Sequence, residues 1–393
     1  MRKLSRSARL LLGTLAAFGL VSALAPPRPA AAARPAAEGK SAVWQPLNNG
    51  LTSTRVFAVA VDPTEAANLY AGTIGGLFKS TNGGASWRKV RQDWTAGVVV
   101  SRANPKLIFA GTVPAGGCFP GNPPRPLFRS TDAGAGWDKV DTVPDCAIDL
   151  LVSDPADPNT LYAASWFAYY AAGDVGGAYF WKSTDGGASW SQLFADHIGL
   201  AARGWAISPA DNNVLYAPGD LYSEDWTTTH TGLLRSKDGG ESWSMTALTD
   251  TLVTAAAVDP LDLDTVYAGT ASEAADNLYV GSLLKSVDGG ASWFPINRGL
   301  PGDFSVARVL VAGPGNPDTL YVATSRHGVF KSLDGGASWE ALNDGLTDLS
   351  VNTLVLAPGR THTLYAGTDG GGLFKLADGA AHDPVDNVSF SAR

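Results

Sequence analysis

The chain has 393 residues, with 29 Lys and Arg against 37 Asp and Glu, a formal net charge of −8. That acidic balance argues against nucleic acid and anionic membrane surfaces as partners. The five histidines and two cysteines show no His-x-x-x-His or Cys-x-x-Cys spacing, so no metal site and no cofactor is expected.

Residues 1–33 read as a signal peptide. Met1–Arg9 is basic, and Leu10–Ala25 is apolar but broken by Pro26 and Pro27 before it is long enough to span a bilayer. Small residues for cleavage lie at Ala31–Ala33 and at Ala23–Ala25. Cleavage after Ala33 is expected, because a proline would follow Ala25. An uncleaved anchor is the alternative. Cleavage removes Arg2, Lys3, Arg6, Arg9 and Arg28, leaving 24 cations against 37 anions, a balance of −13. The expected location is secreted or periplasmic, with no membrane insertion after cleavage. Residues 34–42 read as a linker.

From residue 43 the chain repeats itself. Six copies of Ser-x-Asp-x-Gly-x-x-Trp run Ser80–Trp87, Ser130–Trp137, Ser183–Trp190, Ser236–Trp243, Ser286–Trp293 and Ser332–Trp339, starting 46 to 53 residues apart. Asn82 takes the place held by Asp132, Asp185, Asp238, Asp288 and Asp334. The glycines can adopt φ > 0 and the Asp can accept turn N–H groups, so the motif predicts a hairpin turn followed by a strand that begins with a buried Trp. Upstream of each turn come an apolar run, a Pro-containing turn, and a strand such as Leu69-Tyr-Ala-Gly-Thr73 or Leu320-Tyr-Val-Ala-Thr324. With these strands lettered A to D, the chain holds seven four-stranded units and the motif sits in the C–D turn. Such a repeat predicts an all-β, seven-bladed β-propeller over residues 43–380, with 381–393 as a C-terminal tail. The last unit lacks its strand D. Val43-Trp-Gln-Pro-Leu-Asn-Asn-Gly-Leu51 matches Ser338-Trp-Glu-Ala-Leu-Asn-Asp-Gly-Leu346, so the N-terminal strand is expected to close the last blade.

On these motifs the chain resembles the Asp-box, or BNR-repeat, propellers, a group with sialidases, xyloglucanase-type glycoside hydrolases, sortilin-type receptors and photosystem II assembly factors. The resemblance implies that the box is structural, on the face away from active sites, and that the fold alone does not name an activity.

Function is expected on the opposite face, where the B–C and D–A loops gather. The B–C loops are tight in blades 1, 6 and 7. They are long in blades 2 to 5: Val113–Pro126, Trp166–Gly177, Gly219–Thr231 and Ala271–Gly281. Loop insertions on one face of a repeat array often mark the binding face. Their aromatics Phe119, Trp166, Tyr169, Tyr170, Tyr222 and Trp226 suit stacking on sugar rings, unless they simply pack the loops together. Counting six residues back from each A–B proline marks Phe57, Val99, Asp149, Arg203, Thr254, Arg308 and Asn352 at the channel mouth. Arg55, Arg203 and Arg308 could hold a carboxylate there, faintly like the sialidase arginines. Pairing with a local Asp such as Asp149 or Asp303 is the alternative. Cys118 and Cys146 flank blade 2, and export favours a disulfide over two free thiols.

The expected function is therefore a monomeric, exported module binding a glycan or an extracytoplasmic protein through blades 2–5. One alternative is a glycoside hydrolase, of xyloglucanase or sialidase type, with Asp174, Asp220, Glu224 and Asp225 as candidate carboxylates. Another is an assembly or stability factor for an extracytoplasmic complex.

Overall fold

The structure, a computed structural model, describes residues 42–113, 127–141, 143, 148, 150–166, 178–193, 198–200, 204–222, 228–274, 278–304, 307–312, 318–358, 362–378 and 391–392. Cys118, Cys146, Asp149, Arg203, Phe119, Tyr169, Tyr170, Asp174, Glu224, Asp225 and Trp226 lie outside these residues. No helix among the described residues is long and apolar enough to cross a membrane. The sheets are seven and antiparallel, and together they form a seven-bladed β-propeller.

Blade 1 shows the plan: strand A Val56–Val61, B Leu69–Thr73, C Gly76–Ser80 and D Arg88–Arg91, hydrogen-bonded in that order. Strands A and B are almost wholly buried, as befits strands covered on both faces by neighbouring sheets. The seven clusters of buried apolar side chains fall one at each junction between adjacent blades. Val56, Val59, Phe78 and Trp87 of blade 1, for example, pack with Val355, Tyr365 and Leu373 of blade 7. The core thus lies between blades, which explains why no single repeat could fold alone.

The ring closes through the N-terminal strand. Gln45–Pro46 pairs with Lys375 and Phe374 of blade 7 as its strand D. Trp44 is 2% exposed, and its indole N–H donates to the Leu342 carbonyl at 2.6 Å. Its backbone N–H meets the Asp344 carbonyl, as Trp87 meets Asn49 and Trp339 meets Arg298. This contact needs a glycine: Gly345 has φ +84, and a Cβ there would lie 2.4 Å from the Trp44 carbonyl oxygen. Blade 7 also gains a fifth strand, because Ser391–Ala392 of the expected tail pairs with Val355 and Leu354.

The repeated turns carry one hydrogen-bond set. In blade 3 the Ser183 hydroxyl donates to Asp185 Oδ1 at 2.8 Å and accepts from the Gly187 N–H at 2.8 Å. Asp185 Oδ1 accepts from the Ser189 N–H, and Oδ2 from the Ser189 hydroxyl at 2.5 Å. These donors, the Ser189 hydroxyl foremost, hold the Asp185 carboxylate down to about 2; the Ser292 hydroxyl foremost depresses Asp288, and at Asp132, where a glycine replaces that serine, the Gly136 N–H does so. Ala133 at φ 59 takes the left-handed position that Gly83, Gly186, Gly239, Gly289 and Gly335 fill elsewhere.

Three of these turns are gripped by a tyrosine and a cation of the blade before. Tyr70 and Lys79 of blade 1 both donate to the Ala133 carbonyl of blade 2, at 3.1 and 2.7 Å. Tyr162 and Lys182 grip Gly239 at 3.4 and 2.9 Å, and Tyr216 and Arg235 grip Gly289 at 3.3 and 3.0 Å. The cation lies over the ring of its own tyrosine in each case, 5.4 to 5.5 Å from the centroid. Burial pushes Tyr216 up to about 12 and lowers Lys79, the expected signs for a buried phenol and a buried amine. At the blade 2–3 junction Phe109 replaces the tyrosine and meets Trp190 edge-on at 5.9 Å.

Candidate functional site

The two sectors of the loop face differ in height. In blades 1 and 6 strand B is five residues long, Leu69–Thr73 and Leu320–Thr324. In blades 4 and 5 it is eight and nine residues, Leu215–Tyr222 and Val266–Ala274. Strand C matches at nine residues in both, Thr228–Ser236 and Leu278–Ser286. Three extra residues in blade 4 and four in blade 5, at a strand's rise, add about 10 and about 13 Å over blades 1 and 6. Much of Gly219–Thr231 and Ala271–Gly281, expected as loops, is therefore paired strand: Asp220 faces Thr231, Leu221 faces His230, and Glu273 faces Tyr279. The β-branched run Thr227-Thr228-Thr229 was the sequence signal for this. Trp166 likewise ends strand B of blade 3, paired with Ala178, and does not open the loop. In blade 4 the His230 ring nitrogen Nδ1 sits 3.1 Å from Asp250 Oδ1.

Strand A explains the channel mouth. In blades 1, 5, 6 and 7 its pairing with strand B slips by one residue, at Phe57, Thr254, Arg308 and Asn352. These are the positions reached by counting back from the A–B proline, and a bulge leaves the extra residue unpaired in the ladder. In blade 2 the slip is at Ala96, while Val99 is 1% exposed in the core. The count falls three residues short there because Pro105 follows Ser101 by four residues, whereas Pro63 directly follows the equivalent Asp62.

Arg55 and Asn352 converge on one carboxylate. Arg55 Nε and Nη2 donate to the two oxygens of Asp369 at 2.7 and 3.0 Å, and the Asn352 amide reaches Asp369 Oδ1 at 3.3 Å. The hydrogen bond that Arg55 donates to Asp369 raises its pKa above the ordinary value. Arg55 thus ties blade 1 to the B–C turn of blade 7, with both members exposed, a pair worth at most about 1 kcal/mol. Asp303 faces His327 Nε2 at 3.3 Å.

Beside Arg55 lies an aromatic pair. Phe57, on its bulge, and Trp94, on the blade 1–2 connection, have ring centroids 5.6 Å apart, tilted at 36°. Both are half-buried. Trp94 belongs to no repeat motif; its only sequence signal was an aromatic directly before a strand A. Ile74 and Leu349, 45% and 37% exposed, add apolar surface to the same low sector. Of the four candidate carboxylates, Asp220 is the one among the described residues, half-buried on strand B of blade 4.

No protein-family model matches the chain. A xyloglucanase of a Paenibacillus species is 26% identical over 260 residues, 58% of this chain and 24% of that enzyme. The GH74 xyloglucanase of Xanthomonas campestris matches in structure with a TM-score of 0.57 at 17% identity, over 79% of this chain and 50% of that one. YCF48, solved bound to a D1 peptide, matches with a TM-score of 0.58 at 12% identity, over 89% of this chain and 99% of that one. In fold, this chain is one of these propellers. It spans a quarter or less of the curated xyloglucanases it matches, 15% in one case and 24% in another.

Proposed function

We propose that this protein is an exported propeller that binds a glycan or an extracytoplasmic protein on its loop face. The ligand rests on the low sector around Phe57 and Trp94 and faces the raised hairpins of blades 4 and 5 across the ring. Trp166, Tyr222 and Trp226 of the long segments add stacking surface, with Phe119, Tyr169 and Tyr170. The observation that carries this reading is a half-exposed aromatic pair on a low sector, with the raised hairpins of blades 4 and 5 across the ring from it. Aromatic faces with neighbouring amides and carboxylates suit sugar rings and peptide side chains alike. Likeness to xyloglucanases supports a glycan, and likeness to YCF48 supports a protein. The basic-then-apolar leader supports export, and N-terminal sequencing of the secreted form is expected to begin at Arg34.

A glycan-array screen of the mature protein tests the reading. Hits are expected, and Trp94→Ala, Trp166→Ala and Trp226→Ala are expected to weaken them about tenfold or more, as lost stacking contacts do. A blank array together with no binding to extracytoplasmic protein extracts would overturn it.

Glycoside hydrolysis is the second reading, favoured by the xyloglucanase relatives. It requires two carboxylates about 5–5.5 Å or 6.5–9.5 Å apart across the sugar. Asp220, with Asp174, Glu224 or Asp225, would supply them. Reducing-end assays on array hits test it: if one carboxylate is catalytic, its amide variant loses turnover by orders of magnitude while ligand still binds.

A further inference from the structure

Strand A of each blade turns its inner edge to the channel, and in blade 7 that edge is taken. Ser391 and Ala392 pair antiparallel with Val355 and Leu354 of strand A, Val351–Leu356. The same two residues also lie beside strand A of blade 6, Ala307–Ala312, and strand A of blade 5, Leu252–Val258. They therefore sit among three inner strands, inside the ring.

The direction of entry is consistent with the chain path. Strand A runs from the loop face to the box face, so an antiparallel partner runs from the box face inward. Strand C of blade 7, Leu373–Asp378, runs toward that same box face. The sequence around the pairing, Val388-Ser-Phe-Ser-Ala392, alternates apolar and small residues, the pattern of a strand with two unlike faces.

We propose that the inner edge of blade 7 is a strand-addition site for an extended peptide, and that its occupant is this chain's own C-terminal segment, added in cis. Backbone ladder bonds supply such binding and the alternating side chains supply its choice of partner. The tether holds the segment at high local concentration, so a free peptide competes poorly with it.

Hydrogen exchange and peptide binding test this. Three proteins are compared: the full chain, a chain ending at Asn387, and a full-length Ser391→Pro, Ala392→Pro variant that removes two backbone donors. Amides in 353–356 are expected to exchange at least about tenfold faster in both altered proteins, while those in 56–61 of blade 1 stay unchanged. A labelled peptide with the sequence of residues 387–393 is expected to bind the shortened protein at least about tenfold tighter than the full chain, and to restore protection at 353–356. Equal exchange in all three proteins would overturn the proposal, as would equal peptide affinity for the shortened and full chains. Protection at 353–356 that falls on dilution, with a dimer in sedimentation, would show a second copy's tail in the site and overturn addition in cis.

Discussion

The two faces of this propeller follow opposite rules. On the box face the same bonds recur: in all six boxes a serine hydroxyl caps the turn and a carboxylate or Asn82 gathers its N–H groups, and at three junctions a tyrosine–cation pair from the previous blade grips a turn carbonyl. On the loop face the blades diverge, with tight B–C turns in blades 1, 6 and 7 and raised hairpins in blades 4 and 5. Strand B ends at Thr73 in blade 1 and at Ala274 in blade 5, and the bulge positions hold Phe57, Thr254, Arg308 and Asn352. Repetition serves assembly, because each blade must fit two neighbours. Divergence is allowed where nothing but solvent or ligand is met.

The largest loss is expected where the repeat closes on itself. Trp44→Ala removes a side chain buried at the blade 6–7 junction together with its bond to Leu342. It should cost about 3–5 kcal/mol in denaturant unfolding, as a buried large-to-small change does. A loss near zero would mean the N-terminal strand is dispensable.

Next comes a pair of box glycines. Gly187 has φ +81, and a Cβ there would fall 2.1 Å from Phe109 Cζ. Gly83 has φ +69 with nothing within 4 Å of such a Cβ. Gly83→Ala should cost about 1 kcal/mol for the backbone alone, and Gly187→Ala about 1–3 kcal/mol more for the clash. Equal losses would break the claim that blade 2 uses Phe109 as its contact to the next box.

The tyrosine grip is expected to be weaker. Tyr216→Phe deletes the bond to Gly289 and should cost about 1 kcal/mol. The blade 2–3 junction already carries Phe109 and serves as the natural control.

Much of this was legible in the sequence because periodicity is itself a structural constraint. The boxes, strand B and the match between Val43–Leu51 and Ser338–Leu346 state the seven blades and their closure directly. The grip was not legible. An apolar residue followed by tyrosine marks strand B in every repeat but the Phe109 one, yet nothing in one repeat says that its hydroxyl reaches the next blade. The loop face was read less well for the opposite reason. Proline counting works only where the turn length is constant, so it found Asn352 and missed Ala96. Length alone could not tell a loop from an extended hairpin at Gly219–Thr231. Asp369 as the partner of Arg55 joins positions 314 residues apart, and no local pattern reports such a pair.

A smaller effect sharpens the comparison through pH. The Asp185 carboxylate titrates at about 2 in the fold against an ordinary 3.8. A depressed carboxylate adds stability that is present above the ordinary value and lost as pH falls through the folded one. The stability gap between the wild type and Asp185→Asn should therefore shrink between pH 4 and pH 2, judged by urea unfolding. A gap constant across that window would show that the box carboxylate acts only as a shape, as Asn82 does.

The division of labour between the faces is tested most directly by measuring ligand affinity and melting temperature together for Trp94→Ala and Trp339→Ala. Trp94 is half-buried on the loop face, and Trp339 is 3% exposed in a box. The account predicts that Trp94→Ala loses affinity about tenfold while melting within a few degrees of the wild type, and that Trp339→Ala melts far lower with its residual folded fraction still binding. Trp94→Ala melting as low as Trp339→Ala, with affinity unchanged, would contradict it.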